Sequence, residues 1–226
     1  MNEKKYTALI IDDHPLIAEA YKNAFTYIEN NEDISFTVHL ANDCDSAYQI
    51  VHHHHTNNLE IDVIFLDISL SPSKDGKLLS GEDVGLKIND LLPNSKIIVS
   101  TTFNDNYRIH SIFKNINPDG FLIKNEITPK ELVSSINTIL NDPPYYSKTV
   151  LNLLRKQLSN DFVIDTIDRT ILYELSIGAK TKDLPNIVHL SIKAIEKRKR
   201  RLKEIFNMKS SDDKELILTA KERGFI

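Results

Sequence analysis

Four short apolar runs in the first half of the chain each end in a group suited to phosphoryl or metal chemistry. TALIID (7–12) leads into Asp12-Asp13, and IDVIFLD (61–67) ends in Asp67. KIIVST (96–101) ends in Ser100-Thr101 with Thr102 next, and GFLIK (120–124) ends in Lys124. Short aliphatic, β-branched runs read as strands, so these groups stand at strand carboxyl ends, where open α/β sheets bind ligands. With a strand order of 2-1-3-4-5 the first and third strands are neighbours. Asp12, Asp13 and Asp67 then meet at one edge, flanked by the Thr101 hydroxyl and the Lys124 ammonium. Three clustered carboxylates repel unless a cation sits among them, and oxygen donors with room for waters suit Mg²⁺. The chemistry this supports is phosphoryl transfer onto a carboxylate. Asp67 attacks phosphorus, Mg²⁺ and Lys124 neutralise the equatorial oxygens, and Thr101 donates a hydrogen bond. Any single residue of the set is explained as well by a helix cap or a solvated charge. Four strand ends carrying it together are not.

The elements that must position these groups follow from the hydrophobic pattern. Between the strand-like runs, which include ISFTVHL (34–40), lie amphipathic stretches. Pro15 opens a helix with Leu16, Ala20, Ala24 and Ile28 at the 3.6-residue period. Asn42 or Asp43 caps a second helix through Ala47, Ile50 and Val51. A third runs from Gly81 to Leu92, a fourth from Tyr107 to Lys114, and Thr128 caps a fifth from Pro129 to Leu140. Five strands alternating with five helices predict a flavodoxin-like, doubly wound parallel sheet covered on both faces. NDPPYYSK (141–148) breaks the rhythm with two prolines and reads as a linker. Beyond it only helices are expected, over Val150–Ser159, Asp168–Ile177, Lys182–Val188, Ser191–Phe206 and Asp213–Arg223. The domains are accordingly placed at 1–141, a linker and connecting helix at 142–160, and a small all-α domain at 161–226.

IIDDHPLI, VIFLDISL, KIIVSTTFND and DGFLIKNEITPKEL resemble the receiver domain of two-component response regulators, over residues 5–141. The resemblance implies that Asp67 is the phosphoacceptor and that Asp12 and Asp13 hold Mg²⁺ with Asp67 and the backbone carbonyl of Ser69. It also implies that Thr101 and Lys124 contact the phosphoryl group, that Thr101 and Phe121 form the switch pair, and that a histidine kinase or phosphotransfer protein is the partner. The chain departs from the family after Asp67, where SPSKDGKLLSGED inserts several residues before the third helix. Asn125 replaces a common proline. His52–His55 cannot all face one way on a helix, and they read as a polar helix end, with a Zn²⁺ or Ni²⁺ site as the alternative.

Charge divides the chain. Residues 1–150 hold 12 Lys+Arg against 21 Asp+Glu, a net −9, and residues 151–226 hold 16 against 11, a net +5. The basic excess concentrates in SIKAIEKRKRRLK (191–203), with seven cations and one Glu. Ile192, Ile195, Leu202 and Phe206 give that helix an apolar stripe and leave Lys193, Lys197, Arg198, Arg200 and Arg201 on exposed faces. Such a helix suits phosphate contacts, with Arg able to read guanine edges in double-stranded DNA. With TKDLPNIVHLS before it, the pair reads as a helix-turn-helix, Ser191 being the second helix's cap. Residues 165–226 resemble the LuxR-type output domain, although Ala194 and Arg198 replace the usual Thr and His and Pro185 interrupts the scaffold helix. That resemblance implies pairing of output domains through the terminal helix, with Leu216, Ile217 and Ala220 as a seam, hence a homodimer on phosphorylation.

Composition closes off other classes. With 41% hydrophobic residues the chain can build real cores, and its single cysteine, Cys44, excludes a disulfide scaffold. No apolar run approaches the ~18 residues of a membrane span, so a cytoplasmic protein is expected. A dinucleotide enzyme would need a glycine-rich first turn, which IIDDHP lacks. An aspartyl-phosphate phosphatase would want an acid at position 69, where Ser69 stands. Beyond phosphorylating and slowly dephosphorylating itself, no enzyme activity is expected. The remaining alternative is a receiver whose helical module binds a protein rather than DNA.

Overall fold

The computed structural model describes residues 4–102, 106–156, 164–208 and 212–226. Its first part is a parallel sheet of β1 (Lys4–Ile11), β2 (Ile34–Ala41), β3 (Val63–Asp67), β4 (Lys96–Thr101), β5 (Gly120–Ile123) and β6 (Tyr145–Tyr146). The spatial order is β2-β1-β3-β4-β5-β6, all pairs parallel. The expected 2-1-3-4-5 order is present, with a sixth strand added at one edge.

That strand arises in the segment read as a linker. Tyr145 and Tyr146 pair with Gly120 and Phe121 of β5, and α6 (Lys148–Lys156) then sets Val150 fully into the core. Two β-prone aromatics directly after the prolines extend the sheet where the prolines alone suggested a break. Residues 157–159, the end of the expected 150–159 helix, lie outside the described residues.

Alternate strand residues feed two cores, as a sheet covered on both faces requires. Ala8, Ile10, Val63, Phe65, Ile98 and Leu122 pack towards α1 (Pro15–Asn31) and α5 (Pro129–Asn141). Leu9, Ile11, Ile64, Leu66, Val99 and Phe121 pack towards α2 (Cys44–Thr56), α3 (Gly81–Leu91) and α4 (Asn106–Ile116). Caps fix where helices begin. Asp43 accepts from Ser46 N, Ser80 from Glu82 N, and Thr128 forms a reciprocal box with Glu131. The buried face of α1 differs from the predicted stripe. It consists of Tyr21, Ala24, Phe25 and Ile28, whereas Leu16 is 86% exposed. The bulky rings of Tyr21 and Phe25 claim the space over Phe65 and rotate the helix.

The second part comprises α7 (Thr166–Ser176), α8 (Pro185–Val188), α9 (Ile192–Ile205) and α10 (Asp213–Glu222). Pro185 starts α8 rather than interrupting a longer helix, because proline fits a first turn and not an interior. His189 closes it in a left-handed conformation (φ 54°), and Ser191 caps α9 by accepting from Ala194 N. Leu216 and Ala220 of α10 are fully buried with Leu172, Leu202 and Phe206 inside their own domain. They therefore do not form the outward seam expected of them. The apolar side chain that α10 turns outward is Leu218, 57% exposed.

The two parts meet through buried charge. Glu82 and Asp83 open α3, and Arg108 lies on α4 in ion-pair contact with Glu82. Arg169 of α7 crosses to them, with Nη2 2.6 Å from Asp83 Oδ1 and Nε 3.7 Å from Glu82 Oε1. Glu82 and Arg108 are 0% exposed and Arg169 1%. Ser111 Oγ donates to the Ile164 carbonyl at 2.9 Å, and the Arg108 guanidinium stands 5.1 Å over the Phe225 ring.

Burial works to raise the Glu82 pKa, but Arg108 and Arg169 outweigh it and hold the carboxyl below its usual value. A depressed carboxylate contributes stability above the ordinary pKa of about 4.3 and loses it as pH falls through the lowered one. The domain contact is therefore expected to hold at neutral pH and loosen on acidification below about pH 4. Arg169→Ala strips the cross-domain partner from buried carboxylates, at a cost of about 3–5 kcal/mol. X-ray scattering should show a larger radius of gyration for Arg169→Ala at pH 7; an unchanged profile would contradict this role.

Candidate functional site

Register brings the chemistry together. Ile11 pairs with Leu66, so the next residues, Asp12 and Asp67, leave β1 and β3 side by side. Asp67 pairs with Ser100 and Thr101 with Ile123, which puts the Lys124 ammonium on the same rim. Lys124 Nζ lies 2.6 Å from Asp12 Oδ2 and 2.7 Å from Asp67 Oδ2. Asp12 is 3% exposed, Asp67 2% and Thr101 0%, while Asp13 reaches into solvent. One buried ammonium thus bridges two buried carboxylates.

The donor set fits a hard divalent cation. Asp12, Asp13, His14 and Asp67 offer ligand atoms that all lie within 4.8 Å of one another. Carboxylate oxygens dominate it, as Mg²⁺ requires. Ser69, an exposed residue, follows, and its N–H donates to Asp67 Oδ1 at 2.9 Å, which orients the carboxylate.

Three neighbours of the site were not singled out from sequence. His14 Nδ1 lies 2.5 Å from Asp13 Oδ1 and 3.3 Å from Asp12 Oδ1. Its position directly after the acid pair was the available signal. Tyr21 and Ser100 share a buried hydroxyl hydrogen bond beside Asp67. Burial, above all, pushes the Tyr21 phenol far up, so it stays protonated. Gly81 is the third. A Cβ built there would stand 1.8 Å from the Asp67 carbonyl oxygen, so α3 approaches β3 only because residue 81 has no side chain.

The inserted loop, residues 71–80, is tied to the body of the domain. Leu70 and Leu78 are buried in the core, Ser73 N donates to the Leu78 carbonyl, and Lys74 N donates to Asp45 Oδ2 at the start of α2. Phe121 is fully buried, its ring centroid 5.3 Å from that of Phe113, which in turn meets Tyr146. Both residues of the expected switch pair, Thr101 and Phe121, are thus already enclosed. The histidine run turns one ring inward. His54 is buried against His39, His55 bonds the Leu91 carbonyl, and His52 and His53 face out.

On α9, Lys193, Lys197 and Arg200 are exposed and Arg201 is half-buried. Arg198 departs from the exposed position expected of it. Its guanidinium turns inward to Asp165 at 2.9 Å and Asp168 at 2.8 Å, the acids that open α7. Lys199 is buried against Asp213 at 2.5 Å.

Residues 8–137, more than half of the chain, match the response regulator receiver domain. The chain belongs to that family. Similarity to curated proteins runs through both domains. The oxygen regulatory protein NreC of Staphylococcus epidermidis is 24% identical over 218 residues, covering 91% of this chain and 93% of the relative. NreC of Staphylococcus carnosus is 23% identical with the same coverage. Among solved structures, RcsB of Salmonella enterica serovar Typhimurium bound to the promoter rprA with phosphomimetic BeF₃⁻ superposes with a TM-score of 0.66. Its identity is 17%, and the match covers 96% of this chain and 99% of that one. A second Salmonella RcsB structure gives a TM-score of 0.62 at 18% identity, over 97% and 98%. At such identities the likeness is one of fold, and it extends over both domains of this response regulator.

Gly81→Ala tests the close approach under Asp67. Forcing a methyl against that carbonyl should shift β3 or α3 and cost about 1–3 kcal/mol. Denaturant unfolding of the variant measures it, and wild-type stability would show that the packing there is loose.

Proposed function

We propose that this protein is a cytoplasmic, phosphorylation-controlled transcription regulator that binds double-stranded DNA as a homodimer. A histidine kinase or phosphotransfer protein is the proposed phosphodonor. The observation that carries the reading is the Asp12–Lys124–Asp67 bridge at the strand ends. In the transfer, an Asp67 carboxylate oxygen forms the new bond to phosphorus while the bond to the donor's leaving group breaks. Lys124, already against Asp67, neutralises a phosphoryl oxygen, and Thr101 at the end of β4 donates to another. Asp12, Asp13, Asp67 and the Ser69 carbonyl would hold Mg²⁺, which when bound supplies further charge neutralisation. Apart from taking a phosphoryl group and slowly hydrolysing it, the domain performs no catalysis.

The output reading is supported by the α8–turn–α9 arrangement, by outward Lys193, Lys197 and Arg200, and by likeness to RcsB structures described as DNA complexes. Arg201 on the flank of α9 is a lesser phosphate contact. Arg198 belongs to the domain's own framework. The domain contact leaves the basic stripe of α9 uncovered, so phosphorylation acts less by unmasking that helix than by freeing α7 and α10 to pair. Leu218 is the apolar point of such a pair. Dimerisation shifts a pre-existing equilibrium, and the strain passes through α3, which touches both Asp67 and Arg169.

Incubation with Mg²⁺ and acetyl phosphate should place one acid-labile phosphoryl group on the wild type and none on Asp67→Asn, with chelation of Mg²⁺ suppressing labelling. Equal labelling of Asp67→Asn by mass spectrometry would remove the site assignment. For the output domain, Lys197→Ala and Arg200→Ala should each weaken binding to any duplex. Each should also flatten the log–log salt dependence by about 0.9 per lost phosphate contact. Affinity that ignores both salt and these changes would favour a protein partner instead.

A further inference from the structure

The outward side of α9 is a stripe at helical spacing. Lys193, Glu196, Lys197, Arg200 and Lys203 line a shallow concavity of about 490 Å³. Four of the five are cations, and Glu196 is an acid set among them. Against a row of phosphates an acid repels, so its presence there calls for a reason. A structural reason would be Lys199, whose Nζ lies 3.2 Å from Glu196 Oε1. Yet that ammonium is already held by Asp213 at 2.5 Å and by Thr181 Oγ1 at 2.9 Å. Its charge is therefore compensated without Glu196, whose own side chain remains 55% exposed.

We propose that Glu196 selects a cytosine in the bound DNA. This rests on the reading above that α9 enters the major groove. Glu196 is the fifth residue of α9, in the amino-terminal half that a recognition helix turns towards base edges. An ionised carboxylate only accepts hydrogen bonds. In the major groove guanine presents two acceptors, and thymine an acceptor and a methyl group. Adenine sets an acceptor, N7, beside its amino donor. Cytosine alone offers a donor, N4, with no acceptor adjoining it on the same base. Lys193, Lys197 and Arg200 around the acid hold phosphates and offset its repulsion, so that Glu196 contributes selectivity rather than affinity.

The test is selection from a pool of random duplexes by the full-length protein treated with acetyl phosphate, followed by sequencing of what is retained. The wild type should enrich a site with one position where cytosine is preferred about tenfold, the effect of one good base contact. Glu196→Gln should convert that position to adenine, since an amide pairs with both N6 and N7, and leave the other positions unchanged. Glu196→Ala should leave the position without preference and raise overall affinity. The same enriched site from all three proteins would overturn the proposal and reduce Glu196 to a partner of Lys199. If the wild type retains no duplex above background, the DNA-binding reading falls first and this proposal with it.

Discussion

A carboxylate taken out of water must be compensated, and the receiver's sheet ends in two that share one ammonium. Asp12 and Asp67 are nearly inaccessible, and Lys124 Nζ stands within 2.7 Å of both. The effective penalty for burying each ion is several kcal/mol, so removing Lys124 would leave two charges facing each other. Even with it the trio carries net negative charge, and Asp13 adds more at the rim. That deficit is what makes the pocket receptive to a cation. In the proposed transfer the same ammonium would serve two states, as the counter-ion of the resting carboxylates and as a partner of the phosphoryl oxygens on Asp67. The order β2-β1-β3-β4-β5 serves this, because it sets the ends of β1 and β3 side by side and leaves β5 only two strands from β3.

The start of α3 links this pocket to the rest of the molecule. Gly81 packs against the Asp67 carbonyl, while Glu82 and Asp83, the next two residues, are buried against Arg108 and Arg169. One face of a single helical turn therefore touches β3 and the other touches the second domain. A closely packed element transmits displacement rather than absorbing it. The charges matter here for specificity of docking more than for stability, since a buried ion network is matched or exceeded in strength by apolar packing. Misplaced by an ångström, Glu82 and Asp83 lose their partners, which makes the contact closer to all-or-none than an apolar one would be.

Much of this was legible in the sequence because strand ends are legible. Runs such as VIFLD announce a strand buried on both faces, and the residue that ends each run lands on the functional rim whatever the exact register. Helix caps at Asp43, Thr128 and Ser191 were equally local. What escaped depends on pairs far apart in the chain. Nothing near Glu82 or Arg169 in sequence says that they meet, and Arg198 could be assigned to an outward face because no period reveals that Asp165 and Asp168 lie beneath it. The sixth strand escaped for another reason. Two residues after two prolines make too short a run for alternation to register, and only the waiting edge of β5 turns them into a strand.

The same inward turn of charge changes the arithmetic of the output domain. Counting cations in 191–203 gives seven, which suggests a strongly basic reading surface. Placement divides them. Arg198, Lys199 and Lys203 are engaged by Asp165, Asp168 and Asp213, holding α7 and α10 to α9. Lys193, Lys197 and Arg200 remain as the exposed cations of the helix, with Arg201 half-buried on its flank. For the proposed DNA contact, three phosphates neutralised release about three counterions, a salt slope near −2.7 per domain from this helix. Such a term supplies weak, sequence-independent attraction and little more. Doubling the module on one duplex adds the two binding free energies while the partners' mutual placement limits the further entropy lost. A helix this sparingly charged on its outer face is thus better matched to pairing than to action as a single copy, and the framework role of the remaining cations explains why the sequence carries more of them than the duplex would meet.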